Sequence, residues 1–124
     1  MKSIGYEKAF IFSVKIVNLA NSLEKNRHEY TLSKQILRSG TSIAANMKEG
    51  LYAQSKRDYI HKMSIALKEA AETEYWLDLL KETNYLDTEN YNLLIKDNSE
   101  ILKILISTIK TCKENLEKAD RGTE

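Results

Sequence analysis

The chain has no proline in 124 residues. At average usage of about 5%, roughly six would be expected. Proline interrupts helices and sheets and populates turns. A chain without it is best suited to long helices joined by short connections. Glycine is scarce too, with only Gly5, Gly40, Gly50 and Gly122. Apolar residues recur at steps of three and four, which lays them along one face of an α-helix. Strand-like alternation never extends beyond a few residues.

Four such segments follow one another. In the first, from about Tyr6 to Leu23, the residues Ala9, Phe12, Ile16, Leu19 and Leu23 form one stripe, and Tyr6, Phe10, Val17 and Ala20 a second beside it. The polar run Glu24 to Glu29 reads as a loop. The second helix is predicted from about Tyr30 to Ala53, on the stripe Leu32, Ile36, Gly40, Ile43, Met47 and Leu51. Gly40 in its middle costs about 1 kcal/mol relative to alanine, so its presence points to a closely approaching neighbour helix. The third helix begins near Ser55, where Ser55 and Asp58 form a capping-box-like pair. It runs on Tyr59, Met63, Ala66, Ala70, Thr73, Leu77 and Leu80. Asp87 or Thr88 caps the fourth, whose seam Tyr91, Ile95, Asn98, Leu102, Leu105, Ile109, Cys112 and Leu116 is interrupted only by Asn98. Short loops force antiparallel neighbours, so the expectation is an all-α, up-down-up-down four-helix bundle. One domain covers residues 1–118, with 119–124 a frayed tail.

Composition narrows the function. Nineteen basic and eighteen acidic residues give a net charge of +1, which excludes gripping nucleic acid by bulk charge alone. The single cysteine excludes an intramolecular disulfide and any multi-cysteine zinc site. No apolar run reaches the ~20 residues of a membrane span, and no signal-peptide pattern is present, so a cytoplasmic protein with no membrane partner is expected. Asp58 and His61 are the only carboxylate–histidine pair at di-iron spacing, and the ligand count fails. Cys112 in the apolar seam reads as a small buried hydrophobe. No phosphate loop or nucleophile elbow occurs. The expectation is therefore no enzyme, no metal and no cofactor.

Two constellations remain. Gln35, Arg38, Ser42, Asn46 and Glu49 step by 3, 4, 4 and 3 along the second helix, beside its apolar stripe. Arg38 binds carboxylates bidentately, and Glu72 or Glu69 of the third helix is its expected partner. Three readings stay open: a structural network within the bundle or between subunits, a solvated face, and a ligand or RNA site. The second constellation is a charge asymmetry. Residues 1–54 carry eight basic and four acidic groups, net +4, and residues 55–124 carry eleven and fourteen, net −3. Lys56, Arg57 and Lys62 cluster at the start of the third helix, with Lys48 near them in sequence. Tyr52 and Tyr59 offer aromatic faces for stacking on bases. The competing reading is a solvated helix start with tyrosines half in the core.

The run Gln35-Ile-Leu-Arg-Ser-Gly-Thr-Ser-Ile-Ala-Ala-Asn-Met-Lys-Glu-Gly50 resembles the signature of the four-helix-bundle proteins encoded in 23S rRNA intervening sequences. Asp58-Tyr59-Ile60, Ser64-Ile65-Ala66, the run Lys68 to Leu77 and Asn84-Tyr85-Leu86 continue the likeness. Ala44 stands where that family usually has proline, and Lys48 where it has alanine. The resemblance implies a left-handed bundle assembling as a homopentamer, with RNA binding and no enzymatic activity. It also implies kinship with the basic accessory protein of diversity-generating retroelements, which works with a reverse transcriptase and nucleic acid. The first and fourth helices have apolar faces wider than one seam needs, and adjacent Tyr75 and Trp76 cannot both face one core, which independently favours self-association. The expected function is a homo-oligomer, joined through its second and third helices, that binds RNA or a nucleic-acid-processing partner through Lys48, Lys56, Arg57 and Lys62. The alternative is a homo-oligomeric scaffold with no nucleic-acid role, its subunits held by Gln35, Arg38, Ser42, Asn46, Glu49 and Glu72.

Overall fold

The computed structural model describes residues 3–122. Four α-helices follow in order: α1 (Ile4–Arg27), α2 (Leu32–Gly50), α3 (Lys56–Glu82) and α4 (Thr88–Gly122). Among the described residues there is no strand. Each helix packs on its sequence neighbours, α4 returns to α1, and the backbones of the diagonal pairs stay apart. This is the four-helix bundle that the periodicity predicts. No described helix is long and apolar enough to cross a membrane.

Local chemistry sets the helix ends. At α1 the Ser3 hydroxyl accepts from the Tyr6 N–H at 3.2 Å. At α3 Ser55 Oγ accepts from the Asp58 N–H at 3.0 Å, while Asp58 Oδ2 reaches past the cap and accepts from the Gln54 N–H at 3.4 Å, a variant of the capping box. Asp87, rather than Thr88, caps α4, its Oδ1 accepting from the Asn90 N–H at 2.7 Å. The polar run after Leu23 departs from expectation. Glu24 to Arg27 form the last turn of α1, not a loop. The helix closes at His28, which adopts the left-handed conformation at φ 52°, while the Glu29 N–H returns to the Leu23 carbonyl at 3.0 Å. Glu29 then caps α2 with its carboxylate, accepting from the N–H groups of Thr31, Leu32 and Ser33 at 2.8–3.0 Å. A negative charge on three free N–H groups at the positive end of the helix dipole is favourable. It fixes the start of α2 at Leu32 instead of Tyr30. The far end stops at Gly50, three residues early, because Tyr52 and Ala53 turn back onto the carbonyls of Glu49 and Gly50. Residues 119–122, expected to fray, continue α4 as an exposed last turn; residues 123–124 lie outside the described residues.

The core is one cluster threaded by all four helices. Phe12, Ile16 and Leu23 meet Ile36 and Ile43, then Met63, Leu77 and Leu80, then Ile101 and Leu105. Each such side chain contributes roughly 2 kcal/mol through burial. Two polar contacts sit inside it. The Thr73 hydroxyl donates to Ser39 Oγ at 3.0 Å, joining α2 to α3. Asn98, the break in the α4 seam, is fully buried and donates from Nδ2 to the Ala70 carbonyl at 3.0 Å. Its Oδ1 has no hydrogen-bond partner. A lone buried asparagine of this kind fixes helix register at some cost in stability.

At Gly40 the backbone of α2 lies directly against the Ile16 side chain of α1. A Cβ placed there would lie 2.8 and 2.9 Å from two carbons of the Ile16 side chain. Ile16 is fully buried and β-branched, so it has nowhere to turn. Gly40→Ala is expected to lose about 1–3 kcal/mol through overpacking, despite alanine's better helix propensity. Thermal melts would detect this as a fall of several degrees, and an unchanged or raised melting temperature would contradict the close packing.

Candidate nucleic-acid interface and the polar stripe of α2

The polar stripe of α2 divides into parts with different roles. Arg38 reaches across to α3, donating from Nη1 to Glu69 Oε2 at 3.1 Å and from Nη2 to Glu72 Oε2. Glu72 Oε2 also accepts from the Trp76 indole N–H at 3.1 Å. The network joining Arg38 to both carboxylates is the one its spacing predicts, but it lies at the surface, with half of the Arg38 side chain exposed. Ser42 and Asn46 cross-link nothing. Their side chains donate to the carbonyls of Arg38 and Ser42 on their own helix, the usual i−4 bond of short polar side chains in a helix. Gln35 is exposed. Glu49 joins the cationic end instead, pairing with Lys62 at 3.2 Å.

The cations sit where α2 ends and α3 begins, yet they do not form one patch. A helix turns 100° per residue, so Arg57 and Lys62 leave α3 on opposite flanks. Lys62 faces Glu49 of α2, and Arg57 faces Asp120 in the last turn of α4 at 3.0 Å. Lys48 is exposed, its ammonium 5.2 Å from the centroid of the Tyr6 ring on α1. Lys56 is exposed and, among the described residues, in no ion pair. The two tyrosines also differ. Tyr59 packs against the core, and burial, with a smaller effect of Cys112, pushes its phenol up. Tyr52, at the tip of the α2–α3 turn, is 77% exposed. Cys112 packs against the core from the seam, as expected, but is half-buried rather than fully buried. His61 is exposed. Among the described residues no three His, Cys, Asp or Glu side chains are grouped to hold a metal.

The seam between α4 and α1 is closed by exposed ion pairs. Lys8 binds Glu100, which raises the lysine and lowers the carboxylate, and Lys15 binds Asp97 at 2.7 Å. At the other end of the bundle, the Tyr91 hydroxyl donates to Asp78 at 2.6 Å, and the bond pushes the phenol up to about 12.

The largest uncovered apolar stripe lies on α1, not on α2 or α3. Phe10, Val14 and Val17 step by four and three along its outer face, beside Ile11, and Phe10 is 53% exposed. The second stripe of the first helix is thus only partly core. Ala20 is buried and Tyr6 half-buried, while Phe10 and Val17 face outward. Val14 belongs to the outer stripe and escaped the sequence reading, although the spacing 10, 14, 17 carries it. Asp120 escaped it too, and no local spacing links it to Arg57. On α3, Trp76 is half-buried and its neighbour Tyr75 is exposed, as their 100° separation requires.

Residues 1–107 match the profile of a family described as 23S rRNA-intervening sequence protein. A crystal structure of a protein of unknown function from the S23 ribosomal protein family of Bacteroides thetaiotaomicron superposes with a TM-score of 0.85 at 52% identity, covering 86% of this chain and 99% of that one. Among curated proteins none matches. The last turns of α4, from residue 108, lie beyond the family match.

Glu72→Ala removes the acceptor shared by Arg38 and Trp76. A loss of about 1 kcal/mol is expected for an exposed network of this kind, with a melting temperature lower by about 3–5 °C. Trp76 is the only tryptophan, so its fluorescence emission should shift as the indole N–H loses its partner. Unchanged emission would contradict that bond.

Proposed function

The chain belongs to the 23S rRNA-intervening sequence protein family, and from that premise we propose that it is a non-catalytic, self-associating bundle that binds RNA, or a partner carrying RNA, through the end where α2 meets α3. The observation that carries this reading is that Lys48, Lys56, Arg57 and Lys62 all leave the helix ends that flank the α2–α3 turn, on more than one side of it, and that this turn holds out the Tyr52 ring. Cations contribute affinity by releasing counterions from phosphates.

Self-association supplies the rest of the argument. The outer stripe Phe10, Val14 and Val17, with Ile11, covers no part of the bundle. Apolar stripes of this kind are characteristic of contact surfaces. In a symmetric ring, five copies in the assembly the resemblance implies, each weak cationic end is repeated, and linked sites gain avidity. The network Arg38–Glu69–Glu72 and the exposed Tyr75 form a second surface available to such contacts. A cytoplasmic setting suits a protein with these partners.

A scaffold without a nucleic-acid role is the second reading. It is favoured by the acidic partners already facing two of the cations, Glu49 for Lys62 and Asp120 for Arg57. Exposed pairs of this kind are worth at most about 1 kcal/mol, so a polyanion displaces them readily.

Light scattering should find a mass well above the 14.3 kDa of one chain. The double variant Phe10→Glu/Val14→Glu should return it to a single copy with the helical circular dichroism unchanged. Fluorescence anisotropy with labelled RNA should show affinity falling about 50- to 150-fold between about 50 and 200 mM salt, as about four phosphate contacts require. The double variant Lys56→Ala/Arg57→Ala should weaken it further. An oligomer with no salt-dependent RNA binding supports the scaffold, and a monodisperse single copy overturns the ring.

A further inference from the structure

We infer that the α2–α3 turn is a stacking platform for an unpaired base, with Tyr52 as its ring and Lys48 and Lys56 as its phosphate contacts, so that the nucleic acid bound is single-stranded. This rests on the nucleic-acid reading above and narrows it.

Tyr52 is the most exposed tyrosine of the chain. It makes no ring contact and no side-chain hydrogen bond among the described residues. It lies outside the core cluster and does nothing visible for the bundle. Other aromatic side chains are engaged. Tyr6 lies under Lys48, Tyr85 under Arg27 and Tyr91 under Lys81, while Tyr59 is packed on the core. The backbone that carries Tyr52 is held: Leu51, Tyr52 and Ala53 donate back to carbonyls of α2. The ring is thus presented on a firm turn, which lowers the entropy cost of ordering it on a base.

The nearest cations on each side in sequence are Lys48, in the last turn of α2, and Lys56, which opens α3. Neither is in an ion pair among the described residues, whereas Arg57 and Lys62 are. The two cations without an acidic partner thus flank the free ring along the chain, Lys48 on the side of Tyr6 and Lys56 at the start of α3. Single-strand binding proteins combine such cations with aromatic faces on which bases stack regardless of sequence. Duplex readers insert a helix or a ribbon into a groove, and this end of the bundle offers a short turn with one projecting ring.

The test uses the full-length protein and three labelled probes of equal length: single-stranded RNA, single-stranded DNA and duplex RNA. Anisotropy should show tighter binding to both single strands than to the duplex. Tyr52→Ala should weaken single-strand binding about 5- to 100-fold, and Tyr52→Phe, which keeps the ring, should stay within about twofold. Tyr75→Ala, at an exposed tyrosine elsewhere, controls for loss of any tyrosine. Since Tyr52 is outside the core, its melting temperature should not move. If the chain binds RNA with the expected salt dependence but Tyr52→Ala or the duplex makes no difference, the stacking inference falls and the cationic reading stands. If none of the probes binds, both fall.

Discussion

The bundle depends on how closely α1 and α2 approach at Gly40. With no side chain there, Ile16 of α1 presses directly onto the backbone of α2. Phe12, Ile16, Ile36 and Ile43 from this pair belong to the same buried cluster as Met63 and Ile101. A glycine inside a helix is locally unfavourable. It is offset here by the dispersion and burial gained along the whole interface. The α2–α3 seam uses a different device, small polar side chains. Ser39 and Thr73 satisfy each other where a larger pair would force the helices apart. At α3–α4 the buried Asn98 holds the register through the Ala70 carbonyl.

These choices leave the outside of the bundle unevenly finished. The α2–α3 flank is covered by the Arg38 network, and the α1–α4 seam is bridged by Lys8–Glu100 and Lys15–Asp97. The outer face of α1 has no such cover and carries valines and a phenylalanine instead. The cationic end is finished in part: two cations are met by carboxylates from α2 and α4, and the turn between them keeps an open ring. The proposed self-association would use the apolar face, and the proposed nucleic-acid contact the charged end. The α4 extension past residue 107 adds to that end a carboxylate, Asp120, that lies beyond the part matching the family.

Much of the architecture was legible before any coordinates. Steps of three and four, the missing prolines and the capping pair Ser55–Asp58 located the helices because each depends on chemistry within a turn or two of chain. Arg38 and its carboxylates were legible because both lie on helices whose facing sides the periodicity already implied. Glu29 was not, since a carboxylate capping a helix three residues on looks the same in sequence as a solvated loop residue. The split of the cationic cluster is not legible in the sequence for a related reason: nearness along the chain is not nearness in space, and helical rotation sends Arg57 and Lys62 to opposite flanks.

Sequence alone determined the number of helices, their antiparallel order and most of the core, because helical periodicity is set by local spacing and apolar character; on α4 the buried line runs through Leu94, Asn98, Ile101, Leu105 and Ile109, with Tyr91, Ile95, Leu102, Cys112 and Leu116 half-buried beside it. Tertiary structure alone decided which cations are met by carboxylates, which tyrosine is free and which apolar stripe faces outward. Those outcomes depend on the distance and rotation between helices, and no local run of residues encodes a partner such as Asp120, sixty-three positions from Arg57.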